Sequence, residues 1–249
     1  MNHFPFKIIE LSRVNSTNEY ALRLLNSQEI PEGTVIRAQD QFEGKGQGDN
    51  KWMSEPGKNL TFSLVVHPVF LKPEKQFFLN EAVVLGVVDF TRSLLPDGNI
   101  SLKWPNDIYA GTCKLGGILI NNIISGRLME SSVIGIGVNI NQAEFSNQLP
   151  NPVSLKLLLK SETELRSALI KLCKLVESRY NQLRNKDFDD LHKDYCYTLL
   201  GFDSWRKYSI GDHEIEGKIT GVTETGRLLV QTRIGEILVF DHKEIEYLF

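Results

Sequence analysis

The sequence predicts an α+β fold: a body of strands and helices followed by a small all-β unit. Three observations carry this. Up to about residue 200, apolar runs of strand length alternate with longer helix-periodic stretches bracketed by caps and prolines. After Gly201 the helical period stops, and five short β segments follow, with turns at Gly211-Asp212, Thr225-Gly226 and Gly235. Over 249 residues, 41% are hydrophobic and 24% charged, an ordinary globular composition that suits one large domain or one plus a small one. Residues 1–200 are therefore expected to form the body and 201–249 a small barrel.

The first strand is expected over 6–14. Ser16-Thr17-Asn18-Glu19 follows as a capping box, Ser16 as N-cap and Glu19 three residues on, opening a helix to Asn26 whose apolar face is Ala21, Leu22, Leu24 and Leu25. A strand over 34–39 leads into DQFEGKGQGDNKW, residues 40–52. Its glycines, Gly44, Gly46 and Gly48, cannot hold regular structure cheaply, so a mobile loop is expected. It is neither a Walker A loop nor a dinucleotide GxGxxG. Trp52 and the strand at 60–66 pin its exit, so it can fold over a ligand. Pro73 opens a long helix that Pro96 and Gly98 end, and a strand over 100–104 comes next. Residues 127–141 hold SSVIGIGVNIN, a buried strand in which Gly135 and Gly137 leave room for something to lie against the backbone. Asn139 and Asn141 end it with amides suited to a base or ribose, or to ordinary turn chemistry. After a two-proline loop at 145–152, Ser161 and Glu164 form a second capping box for a helix to about 185. A shorter helix spans 188–200, and β segments lie near 205–210, 213–221, 227–232, 236–240 and 243–248.

The chemistry concentrates in residues 103–120: KWPND, a Gly111-Thr112 turn, then KLGGILI. Pro105 keeps Trp104 out of the helical region, so KWPND enters a turn as extended chain. The resulting hairpin brings Lys103, Asp107 and Lys114 within reach of one another. Two cations suit a carboxylate and phosphates; the carboxylate suits proton removal or Mg²⁺ binding. Composition excludes other classes. The net charge of −3 points to neither nucleic acid nor an anionic membrane as bulk partner. No apolar run reaches the roughly 18–20 residues of a membrane span, and the N-terminus lacks a signal-peptide core. Cys113, Cys173 and Cys196 are widely spaced and odd in number, which fits reduced thiols in a cytoplasmic protein. The five histidines lack zinc-ligand spacing.

Taken together, STN at Ser16–Asn18, the glycine loop ending in Trp52, KWPND at Lys103–Asp107, KLGGIL at Lys114–Leu119 and GIGVNIN at Gly135–Asn141 resemble the biotin protein ligase family along essentially the whole chain. The resemblance implies a mixed sheet flanked by helices, akin to class II aminoacyl-tRNA synthetases, plus a barrel similar to Src-homology-3 domains. It implies an enzyme that joins biotin and ATP, with Mg²⁺, into biotinyl-5′-AMP and passes biotin to a lysine of a biotin carboxyl carrier protein. By position, Ser16, Thr17, Asn18 and Gln41 would hold the ureido group. Gly44, Lys45, Gly46, Gln47 and Trp52 would form the ligand-ordered loop. Lys114 would contact carboxylate and α-phosphate, with Lys103 beside it. Gly117, Leu119, Gly135 and Gly137 would line the biotin slot, and Asn106, Asn139 and Asn141 would sit by the adenylate. Asp107 would accept the acceptor lysine's proton or bind Mg²⁺.

The family's loop usually carries arginine where Lys45 stands, often arginine at Gln47 and glycine at Asp49. Lysine keeps the charge but loses the bidentate fork, so weaker adenylate retention is expected. Some members carry an N-terminal DNA-binding segment; this chain starts at the ligase-like part, so no DNA role is expected, while a homodimer is compatible. Lipoate or octanoyl transfer is the competing activity, but its RRxSGGG motif is absent. A non-catalytic biotin-binding module would be expected to lose a catalytic lysine, and both are present.

Overall fold

A computed structural model describes residues 4–48, 50–147 and 149–248. Seven strands build the main sheet: β1 (Lys7–Val14), β2 (Thr34–Gln41), β3 (Leu60–Val66), β4 (Ile100–Lys103), β5 (Asp107–Ala110), β6 (Cys113–Ser125) and β7 (Leu128–Val138). Their spatial order is β1-β2-β3-β7-β6-β5-β4. The sheet is mixed because α1 (Thr17–Ser27) carries the chain back over the sheet, so β1 and β2 run parallel. The other neighbours are antiparallel.

The two faces differ. In β3, LTFSLVV, every residue is buried. Leu60, Phe62, Leu64 and Val66 join the main core with α2 (Phe77–Leu94) and α4 (Leu165–Arg184). Val65 instead joins a small cluster with Ala21 of α1, Ile36 and Val133. By the two-residue period, Thr61 and Ser63 share the face of Val65, and Gly135 and Gly137 share that of Val133. Gly86 lets α2 approach α4: an added Cβ would lie 2.6 Å from the Val176 backbone.

The terminal unit is an antiparallel sheet of β8 (Trp205–Ile210), β9 (His213–Val222), β10 (Leu228–Thr232), β11 (Ile237–Phe240) and β12 (Glu246–Tyr247). Its order is β11-β10-β9-β8-β12, so among the described residues the ladder is open, with β11 and β12 as edges rather than a closed barrel. Tyr208, Ile219, Leu228, Val230, Phe240 and Tyr247 belong to the same core cluster as the body. The Trp104 indole N–H donates to the Gly226 carbonyl at 2.9 Å. A Cβ on Gly226 would fall 2.2 Å from the Phe77 ring, so only glycine seats this turn against α2.

Several local expectations need correction. Ser16 is the N-cap of α1, but its side chain makes no cap hydrogen bond; Glu19 turns to the Asn15 amide and the Lys45 ammonium instead. The second capping box is shifted. Glu164 is itself the N-cap of α4, its carboxylate accepting from Arg166 N–H at 2.8 Å and Ser167 N–H at 2.6 Å. The helix expected from Pro73 begins as a 3₁₀ turn over Pro73–Lys75 before α2. A short helix, α3 (Leu155–Leu159), follows the two-proline loop where none was expected. The last helix, α5, spans Phe188–Thr198.

Candidate active site

A cavity of ≈ 500 Å³ opens on the sheet face covered by α1. Its floor pairs Gly117 with Gly137, Leu119 with Gly135 and Thr61 with Gly137, and the fully buried Ser63 lies opposite Gly135 behind it. These glycines make room first for the protein's own side chains. A Cβ on Gly135 would lie 2.5 Å from Asn18 Oδ1, and one on Gly137 would lie 2.5 Å from the Trp52 ring.

One part of the cavity is neutral and hydrogen-bonded. Gln41 Oε1 accepts from the Thr17 N–H at 2.7 Å. The Ser63 hydroxyl lies 2.8 Å from Thr17 Oγ1 and donates to Asn18 Oδ1. The Asn18 amide donates to the Leu119 carbonyl at 3.2 Å and to Asn121 Oδ1 at 3.0 Å. Ser16, Thr17 and Asn18 are all buried and line the cavity with Gln41. Ser63 was not singled out from the sequence; its signal was a serine two residues after Thr61 inside an otherwise apolar strand.

The charged part sits over Gly117, two residues back from Leu119 on β6 and so about 7 Å along the strand: a Cβ on Gly117 would lie 3.2 Å from Asp107 Oδ1 and 3.8 Å from Lys114 Nζ. The Lys114 ammonium is 2.7 Å from Asp107 Oδ1. Asp107 faces Lys103 across the β4–β5 ladder. The backbone of Lys114 is fixed by Asn151 and Val153, its N–H donating to the Asn151 carbonyl at 2.7 Å and its carbonyl accepting from Val153 at 2.9 Å. Lys103 lies over the rings of Tyr109 and Tyr247, at 5.7 and 5.5 Å. Burial lowers the pKa of Lys103, Lys114 adds to this, and Asp107 and Glu246 oppose it. Asn106 lines the cavity but uses its amide to tie KWPND to the Ile118 carbonyl.

The glycine loop closes the cavity from the side. Gly46 N–H donates to Asn50 O at 2.8 Å and Trp52 N–H to Gly44 O at 2.9 Å. Lys45, Gly46, Gln47 and Trp52 all line the cavity; Gly44 does not, being packed on the Trp52 backbone. The Trp52 indole N–H is buried with no hydrogen-bond partner among the described residues. Asp49 lies outside the described residues.

Asn139 and Asn141 stand apart from this cavity. The Asn139 amide donates to the Val153 carbonyl at 3.0 Å. The Asn141 side chain is spent on both backbone groups of Thr163, at 2.8 and 2.9 Å. Their amides fix the chain leaving β7.

The terminal sheet supplies residues that the sequence did not flag. His242, Lys243, Glu246 and Tyr247 line the cavity. His242 stacks at a tilt on Trp104, centroids 6.1 Å apart. Its pKa is lowered by burial first, then by Lys243 and Lys103, against Asp107. Lys243 Nζ would lie 3.0 Å from a Cβ on Gly48, so it reaches the glycine loop.

Among the described residues no cluster of three or more His, Cys, Asp or Glu could hold a metal. Mg²⁺ needs less, because it keeps waters and binds through one or two carboxylates plus substrate phosphates. Asp107 and Glu246 are the carboxylates lining the cavity, so the donor set fits such an ion.

A family profile described as the Biotin/lipoate A/B protein ligase family matches residues 10–139, more than half of the chain. The chain is 28% identical over 229 residues to the bifunctional ligase/repressor BirA of Bacillus spizizenii, covering 89% of this chain and 68% of that one. It is 27% identical over 221 residues to the biotin–[acetyl-CoA-carboxylase] ligase of Mycobacterium tuberculosis, covering 88% and 80%. Among solved structures, the biotin protein ligase from Aquifex aeolicus in complex with biotin and ATP superposes with a TM-score of 0.80 at 26% identity, covering 98% of this chain and all of that one.

Proposed function

The chain belongs to the biotin/lipoate A/B protein ligase family, and we propose that within it this protein is a biotin protein ligase. It activates biotin with ATP to biotinyl-5′-AMP and diphosphate, then passes biotin to a lysine of a biotin carboxyl carrier domain. The observation that carries this reading is one cavity holding a neutral hydrogen-bonding wall and, over Gly117 of the same sheet, the Lys114–Asp107 pair with Lys103 facing it across the ladder. A ureido ring both donates and accepts hydrogen bonds and suits the wall of Ser16, Thr17, Asn18 and Gln41. A lipoyl or octanoyl tail ends in apolar atoms and brings nothing for that wall to bond, which disfavours the competing activity.

Activation requires two anions, a carboxylate and an α-phosphate, to touch. Lys114 neutralises both and stabilises charge building on the phosphoryl oxygens; Lys103 adds a second cation. The carboxylate oxygen bonds to phosphorus and diphosphate leaves, with Lys243 placed as a cation of the terminal unit beside it and the neutral His242 imidazole stacked on Trp104. Mg²⁺, when bound, supplies further neutralisation of the phosphates, and Asp107 and Glu246 would hold it. In the transfer step the acceptor amine bonds to the acyl carbon and AMP leaves. An amine with pKa near 10.4 costs about 4–5 kcal/mol to deprotonate at pH 7, and we assign that proton to Asp107. Trp52 and the glycine loop keep water off the adenylate. In this scheme residues 1–200 carry the chemistry and 201–249 complete the phosphate side.

The test is incubation with biotin, Mg-ATP and a biotin carboxyl carrier domain, read by avidin blot, with lipoate and octanoate in parallel. Biotin-dependent labelling of the carrier is expected. No transfer, or equal transfer of lipoate, would sink the assignment.

A further inference from the structure

Five lysines line the cavity: Lys45, Lys51, Lys103, Lys114 and Lys243. Three are already engaged. Lys114 pairs with Asp107, Lys45 pairs with Glu19, and Lys103 lies over the rings of Tyr109 and Tyr247. Lys51 and Lys243 make no ion pair among the described residues. Lys243 is also held in an unusual backbone state. Its φ is +74°, in the left-handed region that costs an L side chain and that glycine adopts freely. The turn is braced from outside. The Asp241 N–H donates to Glu244 Oε2 at 2.7 Å, the Glu244 N–H donates to the Asp241 carbonyl at 3.1 Å, and Arg227 lies 3.2 Å from the Asp241 carboxylate. A turn that had only to close would be cheaper with glycine here, so the lysine points to a use for its side chain.

That side chain reaches the glycine loop. Lys243 Nζ lies 3.0 Å from a Cβ placed on Gly48. Lys51 is three residues further along the same loop, no more than about 11 Å of extended chain away. Lys243 and Lys103 both lower the pKa of His242, so their fields overlap beside KWPND. Sheet order sets which end of the ligand comes here. The neutral wall stands on α1 and β2, whereas the terminal sheet docks through Trp104 at the β5–β4 end. In an in-line displacement the carboxylate attacks from the wall side, and the leaving group departs on the opposite side of phosphorus. Diphosphate therefore departs towards the terminal sheet.

We infer that Lys243 binds the β- and γ-phosphates of ATP and, with Lys51, clamps them between the terminal sheet and the glycine loop. The inference rests on the ligase reading and adds to it what holds the leaving group and what reopens the site. A lysine suits the task as a point charge on a flexible stem that can follow a phosphate as it moves off. Residues 40–52 contain no arginine, so part of the charge on the leaving group comes from the other unit. The two units are then joined through the ligand. Diphosphate held in this way keeps the loop down, and the loop opens when diphosphate leaves.

Trypsin cleavage after Lys45, mapped by peptide mass spectrometry, reads the loop without any ligase activity. Inorganic diphosphate with Mg²⁺ should slow that cleavage about tenfold in the intact parent, and Lys243→Gly should lose the protection. Equal protection of the two proteins, or none in the parent, would overturn the inference. Faster cleavage of Lys243→Gly before diphosphate is added would show that Lys243 holds the loop by itself, and would overturn it too. In adenylate formation, Lys243→Gly should raise KM for ATP and the inhibition constant of added diphosphate together, each about tenfold, the worth of one charge-assisted contact. Lys51→Ala should raise both about threefold, and Lys243→Arg should restore them. KM for biotin should stay within about twofold in every variant, because the wall is untouched; a biotin KM that rises as far as that for ATP would refute a phosphate-specific role. Glycine relieves the turn, so the melting temperature of Lys243→Gly should hold or rise. A parent that forms no adenylate would sink the ligase reading, and diphosphate protection of the loop then decides the clamp alone. A parent that forms adenylate, with both constants unchanged in Lys243→Gly, would sink the clamp and leave the ligase reading intact.

Discussion

The two faces of the central sheet carry different loads although they come from the same strands. On one face Leu60, Phe62, Leu64 and Val66 alternate with Ile134, Ile136 and Val138 under α2 and α4. On the other, the same two strands present Thr61, Ser63, Gly135 and Gly137, and the apolar cluster there is small. Burial of large side chains on the first face supplies the stability that lets the second face keep small and polar groups. Stability and chemistry are thus separated by a step of one residue along the chain.

Substitutions on opposite faces should therefore fail in opposite ways. The largest effects come first. Lys114→Ala should lower adenylate formation about 10²–10³-fold, the cost of losing a group aimed at developing charge. Its melting temperature should stay within about 2 °C of the parent. Leu64→Ala should do the reverse and cost about 2–5 kcal/mol of stability, read by denaturant unfolding. A Lys114→Ala protein that keeps its activity, or a Leu64→Ala protein as stable as the parent, would break the division. Gly137→Ala is intermediate. Its Cβ would fall 2.5 Å from the Trp52 ring, so Trp52 must move. An overpacking cost of about 1–3 kcal/mol and a rise of about tenfold in KM for biotin are expected, and an unchanged KM would show that Trp52 does not border the ligand.

Lys103 sharpens the comparison through pH. Burial lowers its pKa, so it loses its proton earlier than an ordinary lysine as pH rises. The alkaline limb of adenylate formation should lie below the usual lysine value near 10.4. Glu246 opposes the shift, so Glu246→Gln should move the limb to still lower pH; movement upward would contradict the assignment. The linkage to stability has a definite sign. The unfolded chain holds this proton more tightly, so Lys103 costs stability while protonated. That cost fades as pH rises through the lowered value towards the ordinary one.

The division between faces was legible in part. KWPND and KLGGIL located the charged group because hairpin partners are close in sequence, and the Lys103–Asp107–Lys114 juxtaposition is as that spacing requires. The strand–helix order was legible from periodicity. Three features were not. His242, Lys243 and Glu246 reach the cavity only because Gly226 lets the terminal sheet dock on Phe77, a contact no local pattern encodes. Asn139 and Asn141 have the right chemistry in the wrong direction, since backbone carbonyls and amides claim them first. Ser16 sits at a helix start with extended backbone, yet Glu19 completes no box because two groups from neighbouring loops outcompete the helix end.

The smallest expected effect bears on how the loop is held. Glu19 pairs with Lys45 on the glycine loop and with the Asn15 amide, all in partly exposed positions. An exposed pair of this kind is worth about 0–1 kcal/mol. Backbone and ring contacts also hold the loop: Phe42–Val14 and Glu43–Asn15 bonds at its entry, Gly46–Asn50 and Trp52–Gly44 bonds within it, and the Trp52 ring on Gly137. If these backbone and ring contacts close the loop, Glu19→Gln should change KM for biotin by about threefold or less and leave kcat alone, because the change acts on loop position and not on the phosphoryl centre. The effect should shrink further at high salt, where the pair is already screened. A tenfold or larger change, lost in high salt, would instead mean that charge holds the loop. Lys45 would then be committed to Glu19 until a ligand anion displaces it, and the Lys-for-Arg difference at this position would set how tightly the adenylate is kept.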